Sequence, residues 1–248
     1  MRAILAVLAA APALMAHDAK AQEIEEQQFL FLLDPAYVQD SGAWQAGVGI
    51  AFAPENDSGI ELDAEIEYGL TDSLQIQASL PYADGDVGDL RLGFSYGLAR
   101  ESGRAPALSV AIDAIAPTSD AGPGGWGLAV SMALTKQIRS GLFGHANLGF
   151  EGIEADSDGA DEVDTEQWTI GVGAGARVSE NATLTLELVR EREEQHGAIA
   201  NETEYTTNAA LGLSFKPAEG FEIGVGAVTA FDGDDNTTTA SLRALFEW

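Results

Sequence analysis

The chain has 248 residues, with 40 Asp and Glu against 12 Lys and Arg and a formal net charge of −28. That charge speaks against a nucleic-acid partner, whose phosphates it would repel, and a chain that is 46% hydrophobic with 28 glycines is too apolar for disorder. The absence of cysteine rules out disulfides and a lipid anchor on an amino-terminal cysteine.

The first residues read as a secretory signal. Arg2 supplies the positive end, residues 3–16 form an apolar run too short to span a bilayer as a helix, and Ala19-Lys20-Ala21 is a small-x-small cleavage site. The mature chain is expected to start at Gln22, with residues 1–21 removed. Residues 22–42 form a separate segment: an acidic, polar stretch at 22–28, then the apolar run Phe29-Leu30-Phe31-Leu32-Leu33, ended by Asp34-Pro35. Three readings are open for it: a lumen plug, a short helix at a periplasmic rim, or an ordered leader with no gating role.

From residue 43 to 248 the sequence alternates apolar and polar residues in twelve segments: 43–53, 60–68, 74–82, 90–99, 107–116, 126–136, 141–151, 167–178, 182–192, 205–216, 221–231 and 237–248. Alternation places apolar side chains on one face of a strand. Most segments have the length a tilted strand needs to cross hydrocarbon, and an even number puts both ends of a barrel on one side of the membrane. The connections alternate between short turns, such as Leu70-Thr71-Asp72-Ser73 and Ser179-Glu180-Asn181, and longer acidic loops, such as 152–166 and 193–204. Short periplasmic turns and longer external loops are the pattern of outer-membrane barrels. No stretch after the leader reaches 18 consecutive apolar residues, so helical membrane spans are not expected.

The facing pattern carries the argument. In the second segment Ile60, Leu62, Ala64, Ile66 and Tyr68 share one face, and Glu61, Asp63, Glu65 and Glu67 the other. A one-residue slip would move all four acids to the apolar side. A soluble barrel or sandwich shows the same alternation with apolar residues inside. The membrane arrangement is favoured by small polar residues in the opposite phase and by aromatic residues near strand ends, among them Tyr68, Tyr82, Phe150, Trp168, Phe221 and Phe231. It is also favoured by the carboxy-terminal alternation of Leu242, Ala244, Phe246 and Trp248, the last two read as an assembly signal for the barrel-assembly machinery. The expected fold is therefore all-β: a single antiparallel transmembrane β-barrel of about twelve strands in the bacterial outer membrane, in contact with its lipid.

Four motifs then follow in order: Leu80-Pro81-Tyr82, the run from Gly88-Asp89-Leu90-Arg91 to Leu92-Gly93-Phe94-Ser95-Tyr96, Ala116-Pro117-Thr118, and His145-Ala146-Asn147-Leu148-Gly149-Phe150. In order and spacing, residues 43–248 resemble the outer-membrane transporter family named for the meta-cleavage pathway of phenol degradation. The family patterns read LPY, GxGDLxLGxKY, LPTG and HxNLGY; here Val87 lies in the neighbourhood of the glycine pair, Ser95 replaces a basic residue, Ser119 a glycine and Phe150 a tyrosine. The resemblance implies passage of small, often aromatic or hydrophobic, molecules across the outer membrane.

The lumen-phase residues are Glu61, Asp63, Glu65, Glu67, Arg91, Asp113, His145, Asn147, Arg177, Glu187, Glu222 and Arg243. The acids outnumber the bases, and a narrow passage so lined favours cations. Arg91 and Arg243 are expected to pair with part of the Glu61–Glu67 row across the lumen, as a constriction or as a structural network filling a closed barrel. His145 is read as a hydrogen-bonded interior histidine, and His196 as a solvated residue of an external loop. Residues 156–166 and 232–236 are acidic without the full spacing of a calcium loop. No metal or cofactor site and no catalytic residues are expected. The alternatives to a passive channel for a small solute are a structural or surface-interaction protein and an outer-membrane lipid hydrolase, which would need a Ser–His pair facing lipid.

Overall fold

The computed structural model describes residues 30–52, 60–83, 86–118, 125–154, 164–196, 201–232 and 235–248. The expected leader at 1–21, the polar stretch 22–28, Ser119 and the centres of the acidic loops at 156–163 and 233–234 lie outside the described residues.

The wall strands, in chain order, are β1 Trp44–Phe52, β2 Ile60–Thr71, β3 Leu74–Ala83, β5 Leu90–Ala99, β6 Ala107–Ala116, β7 Gly127–Arg139, β8 Leu142–Ile153, β9 Asp164–Ser179, β10 Ala182–His196, β11 Asn201–Ala218, β12 Phe221–Asp232 and β13 Asp235–Glu247. A two-residue strand, β4 (Asp86–Val87), pairs only with the end of β3. Each wall strand pairs antiparallel with its sequence neighbours, and β1 pairs with both β2 and β13. The described residues thus form a closed twelve-strand antiparallel barrel with no helix. Closure leaves no open wall edge, which hydrocarbon requires. The seam ends on a pair of reciprocal bonds: Trp44 N donates to Trp248 O at 2.9 Å, and Trp248 N to Trp44 O at 3.0 Å.

Side-chain exposure fixes which way each face looks. Val48, Ile50, Phe52, Leu62, Ile66, Leu184, Leu186 and Leu188 are all exposed on the outside. Leu186 is 61% exposed while its neighbour Glu187 is 1% exposed, the reverse of a water-soluble core. Aromatic pairs pack at both ends of this apolar band: Trp44 tilted against Tyr68 (ring centroids 4.5 Å) and Phe221 stacked on Phe246 (4.7 Å) at the short-turn end, Phe150 tilted against Trp168 (4.8 Å) at the other. These rings stand where interfacial girdles sit.

The short turns close tightly. Gly141 (φ 72°) and Gly220 (φ 68°) take left-handed conformations at the β7–β8 and β11–β12 connections, where a side chain would be strained. At the opposite end β9, β10 and β11 run on for 16, 15 and 18 residues, into stretches expected as loops. Pairing continues there from Glu193↔Glu204 to His196↔Asn201, because a ladder of backbone hydrogen bonds persists beyond the apolar band without needing an apolar face. His196 is accordingly the last residue of β10, a correction to its expected place in a loop.

Residues 30–40, which precede β1, do not join the wall. They run inside the barrel and touch almost every side of it. Leu30 and Leu33 pack on Val189 of β10, Ala36 packs with Ala107 and Ala133 of β6 and β7, and Gln39 bonds to side chains of β1, β2 and β3.

Candidate functional site

Alternation places all twelve lumen-phase residues on the inward face, and they fall into distinct groups there. The first group holds residues 30–40. Glu187 Oε2 accepts hydrogen bonds from the backbone N of Leu32 (2.7 Å), Leu33 (3.0 Å) and Phe31 (3.1 Å), and Oε1 accepts a further bond from Phe31 N (2.9 Å). A carboxylate, an acceptor with two oxygens, is suited to a turn of clustered N–H donors. Arg243 donates from Nη1 to the Leu30 carbonyl at 2.9 Å, so the two wall residues grip the backbone by its donors and its acceptor.

The wall is cut away to admit the apolar side chains of this segment. Gly171, Gly173, Gly212 and Gly226 lie on the inner faces of β9, β11 and β12 around Glu187 and Val189. A Cβ at Gly226 would come 2.9 Å from the Phe31 ring, and one at Gly173 would come 2.9 Å from Leu33 Cδ1. Gly212 and Gly171 are closer still to the same two side chains. Only glycine leaves the recess that Phe31 and Leu33 fill.

Farther along, Ala36 N donates to Thr135 Oγ1 at 2.9 Å, and that oxygen also lies 3.0 Å from His145 Nδ1. His145 is 5% exposed, an interior histidine facing the lumen. Tyr37 donates its hydroxyl to Glu101 Oε2 at 3.3 Å. Burial and the neighbouring Glu101 carboxylate push the Tyr37 phenol above its ordinary range, which keeps it a neutral donor. Glu101 is also bonded by Lys136 Nζ and by Gln137 N at 3.0 Å. Gln39, 1% exposed, is bonded to three wall strands: its N donates to Gln75 Oε1 (2.8 Å) and its Nε2 to Gln45 Oε1 and Glu67 Oε2 (each 3.0 Å).

The second group lines a cavity of about 1340 Å³ beside the segment, bounded by Asp34, Glu65, Glu67, Arg91, Asp113 and Arg243, with Arg177 and Glu222 nearer the short-turn end. Asp113 Oδ1 accepts from Gln77 Nε2 at 2.8 Å. Asp63 lies 3.7 Å from Arg243 Nη2, so Arg243 pairs with the row as expected, but the pair lies along the wall over Gly49 of the single intervening strand β1 and does not cross the lumen. The other expectation is corrected: Arg91 pairs with Glu151, at 2.7 and 3.0 Å, and not with the Glu61–Glu67 row. Glu151 lies three strands away on the side opposite β2, and it presents two oxygens to the flat guanidinium. Glu61 is exposed toward the long-loop end of β2. Asn147 faces inward, and its Oδ1 is buried without a hydrogen-bond partner among the described residues. Phe246 and Trp248 face outward and are 49% and 65% exposed.

Gln39, Glu101, Thr135, Glu151 and the four notch glycines escape the sequence reading. Glu151 shares the phase of His145 and Asn147 and was legible from alternation. Glu101 stands in a connection, where no period applies.

A model of the family described as "Putative MetA-pathway of phenol degradation" matches residues 60–246. No curated protein sequence matches the chain. Among solved structures, an outer membrane channel from Pseudomonas putida F1 is similar at 14% identity and a TM-score of 0.70, covering 87% of this chain and 100% of that one. The NanC porin is similar at 10% identity and a TM-score of 0.60, over 81% of this chain and 98% of that one. The KdgM porin is similar at 8% identity and a TM-score of 0.53, over 82% and 98%. At these identities the likeness is one of fold, that of outer-membrane barrels. With three quarters of its length matched by the family model, the chain belongs to the family described as the putative MetA-pathway of phenol degradation.

Proposed function

We propose that this protein is a passive outer-membrane channel for small solutes, hydrophobic or aromatic in character, passing through a lumen whose acids favour positive charge. The observation that carries this reading is the set of inward acids Glu65, Glu67 and Asp113 around a cavity of about 1340 Å³, behind an outer surface of exposed Leu, Ile, Val and Phe. An apolar exterior holds the barrel in lipid, while acids in a confined passage attract cations and repel anions. The short-turn end, where Trp44 and Trp248 meet, is read as periplasmic.

A lipid hydrolase is disfavoured by the position of His145, which is buried on the lumen side against Thr135 rather than presented to lipid. The channel reading is tested in planar bilayers and liposomes. Reversal potentials under a potassium chloride gradient are expected to report cation preference, and liposomes are expected to admit small aromatic solutes. Equal permeability to both ions, or no flux of any solute with correctly folded barrel, would remove it.

A further inference from the structure

The recess that receives Phe31 and Leu33 is more than a seat for a chain terminus. Its walls are apolar: Val189, 2% exposed, and the glycine backbone of β9, β11 and β12. At its centre Glu187, also nearly inaccessible, accepts hydrogen bonds with both oxygens from the backbone N–H groups of Phe31, Leu32 and Leu33. Those donors are backbone amides, so the bonds demand clustered N–H groups, not a particular side chain. One position along the same inner face, Thr185 stands between Gly175 and Gly212, 1% exposed, and its Oγ1 has no hydrogen-bond partner among the described residues. Buried polar atoms are nearly always paired, so this hydroxyl marks bonding capacity that residues 30–33 leave unused. The open cavity adjoins the same place, since Leu30, Leu33 and Asp34 form part of its lining.

We propose that the notch of Gly171, Gly173, Gly212 and Gly226 around Glu187 is a solute-binding site, for which residues 30–33 are the resident internal ligand, and that it takes small primary amines carrying an aromatic or branched aliphatic group. Phe31 and Leu33 display the apolar shapes the notch accepts, and the three amides display the donors that Glu187 accepts. An ammonium offers three donors on one atom, enough to meet both Glu187 oxygens and the Thr185 hydroxyl together. A solute arriving through the cavity competes with the segment for one site, so binding and displacement of the segment are a single exchange. The site rests on the channel reading for its physiological meaning, while its occupancy is measurable without transport.

The test uses the mature protein folded in detergent micelles, with 2-phenylethylamine as probe and 2-phenylethanol as its uncharged counterpart, titrated by calorimetry. The double variant Phe31→Ala/Leu33→Ala removes the side chains that anchor the segment in the notch and is expected to bind the amine at least tenfold more tightly than the unaltered protein, with the amine preferred at least tenfold over the alcohol. Adding Gly212→Leu, which fills the notch, abolishes the gain, and adding Glu187→Gln abolishes the preference for the amine. Folding of every variant is checked by its heat-dependent mobility on gels. If Gly212→Leu fails to fold, Gly226→Ala serves in its place. Equal amine binding with and without the segment docked, or a gain that survives both notch variants, would overturn the proposal. Conductance of the same proteins keeps the two readings apart: binding without conductance defeats the channel and leaves the site, while conductance without binding defeats the site alone.

Discussion

Arg91 and Glu151 hold each other with two parallel hydrogen bonds, at 2.7 and 3.0 Å, across the two strands that separate β5 from β8. The pair lies along the lumen wall and is partly exposed, with side-chain exposures of 38% and 21%. A pair so open to water contributes on the order of 0–1 kcal/mol to stability. Its larger effect is on the field within the passage, because Arg91 is one of few bases there. Arg91→Gln is therefore expected to leave the unfolding midpoint nearly unchanged and to raise potassium over chloride permeability. An unchanged reversal potential would show that ions do not pass this residue.

The acids make the opposite prediction. Glu65 and Glu67 face the cavity from β2, and Glu67 also accepts a bond from Gln39. Replacing both with Gln keeps their size and most of their bonding while removing both ionisable carboxyls. Cation preference should fall in the double variant. The difference should shrink at high salt, since the screening length drops from roughly 10 Å at 0.1 M to about 3 Å at 1 M. Reversal potentials measured at both ionic strengths check both statements.

Thr135 joins the internal segment to the wall and is fully buried. Thr135→Val keeps its shape but leaves the Ala36 amide without the acceptor it has at 2.9 Å. An orphaned buried donor costs about 1–3 kcal/mol. The segment, held elsewhere by Glu187, Glu101 and Gln75, should dock less firmly, and protease should cleave it faster in the folded barrel. Thr135→Ser retains the oxygen and should behave as the unaltered protein.

The wall was legible in the sequence because membrane and lumen impose opposite demands on successive residues. The pattern Ile60, Leu62, Ala64, Ile66 against Glu61, Asp63, Glu65, Glu67 has one solution, and the exposed leucines beside inward acids show it. Strand ends were less legible. Beyond the girdle both faces meet water, so His196 and Glu204 carry no signal that tells strand from loop. Lumen partners were least legible. Phase tells that Arg91 points inward but not which inward acid it meets, because that depends on the curvature of the whole barrel. The recess for Phe31 and Leu33 is an arrangement of absent side chains on three strands, visible only once Gly171, Gly212 and Gly226 are brought together by register.

The orientation of the two faces is itself open to a direct energetic test at β10. Leu186 looks outward and is 61% exposed, near the middle of its strand's apolar run Leu184, Leu186 and Leu188. In lipid, an arginine at the bilayer midplane costs about 2–4 kcal/mol. Leu186→Arg should therefore destabilise the barrel by that amount when folding is measured reversibly in phospholipid bilayers with urea. Leu186→Ala, which only trims an apolar contact with lipid, should have a much smaller effect. The same arginine on a water-facing surface would be nearly harmless, because charged side chains are at home there. A Leu186→Arg protein as stable as the Leu186→Ala protein would mean that this face does not meet hydrocarbon, and the inward acids would then have no passage to line.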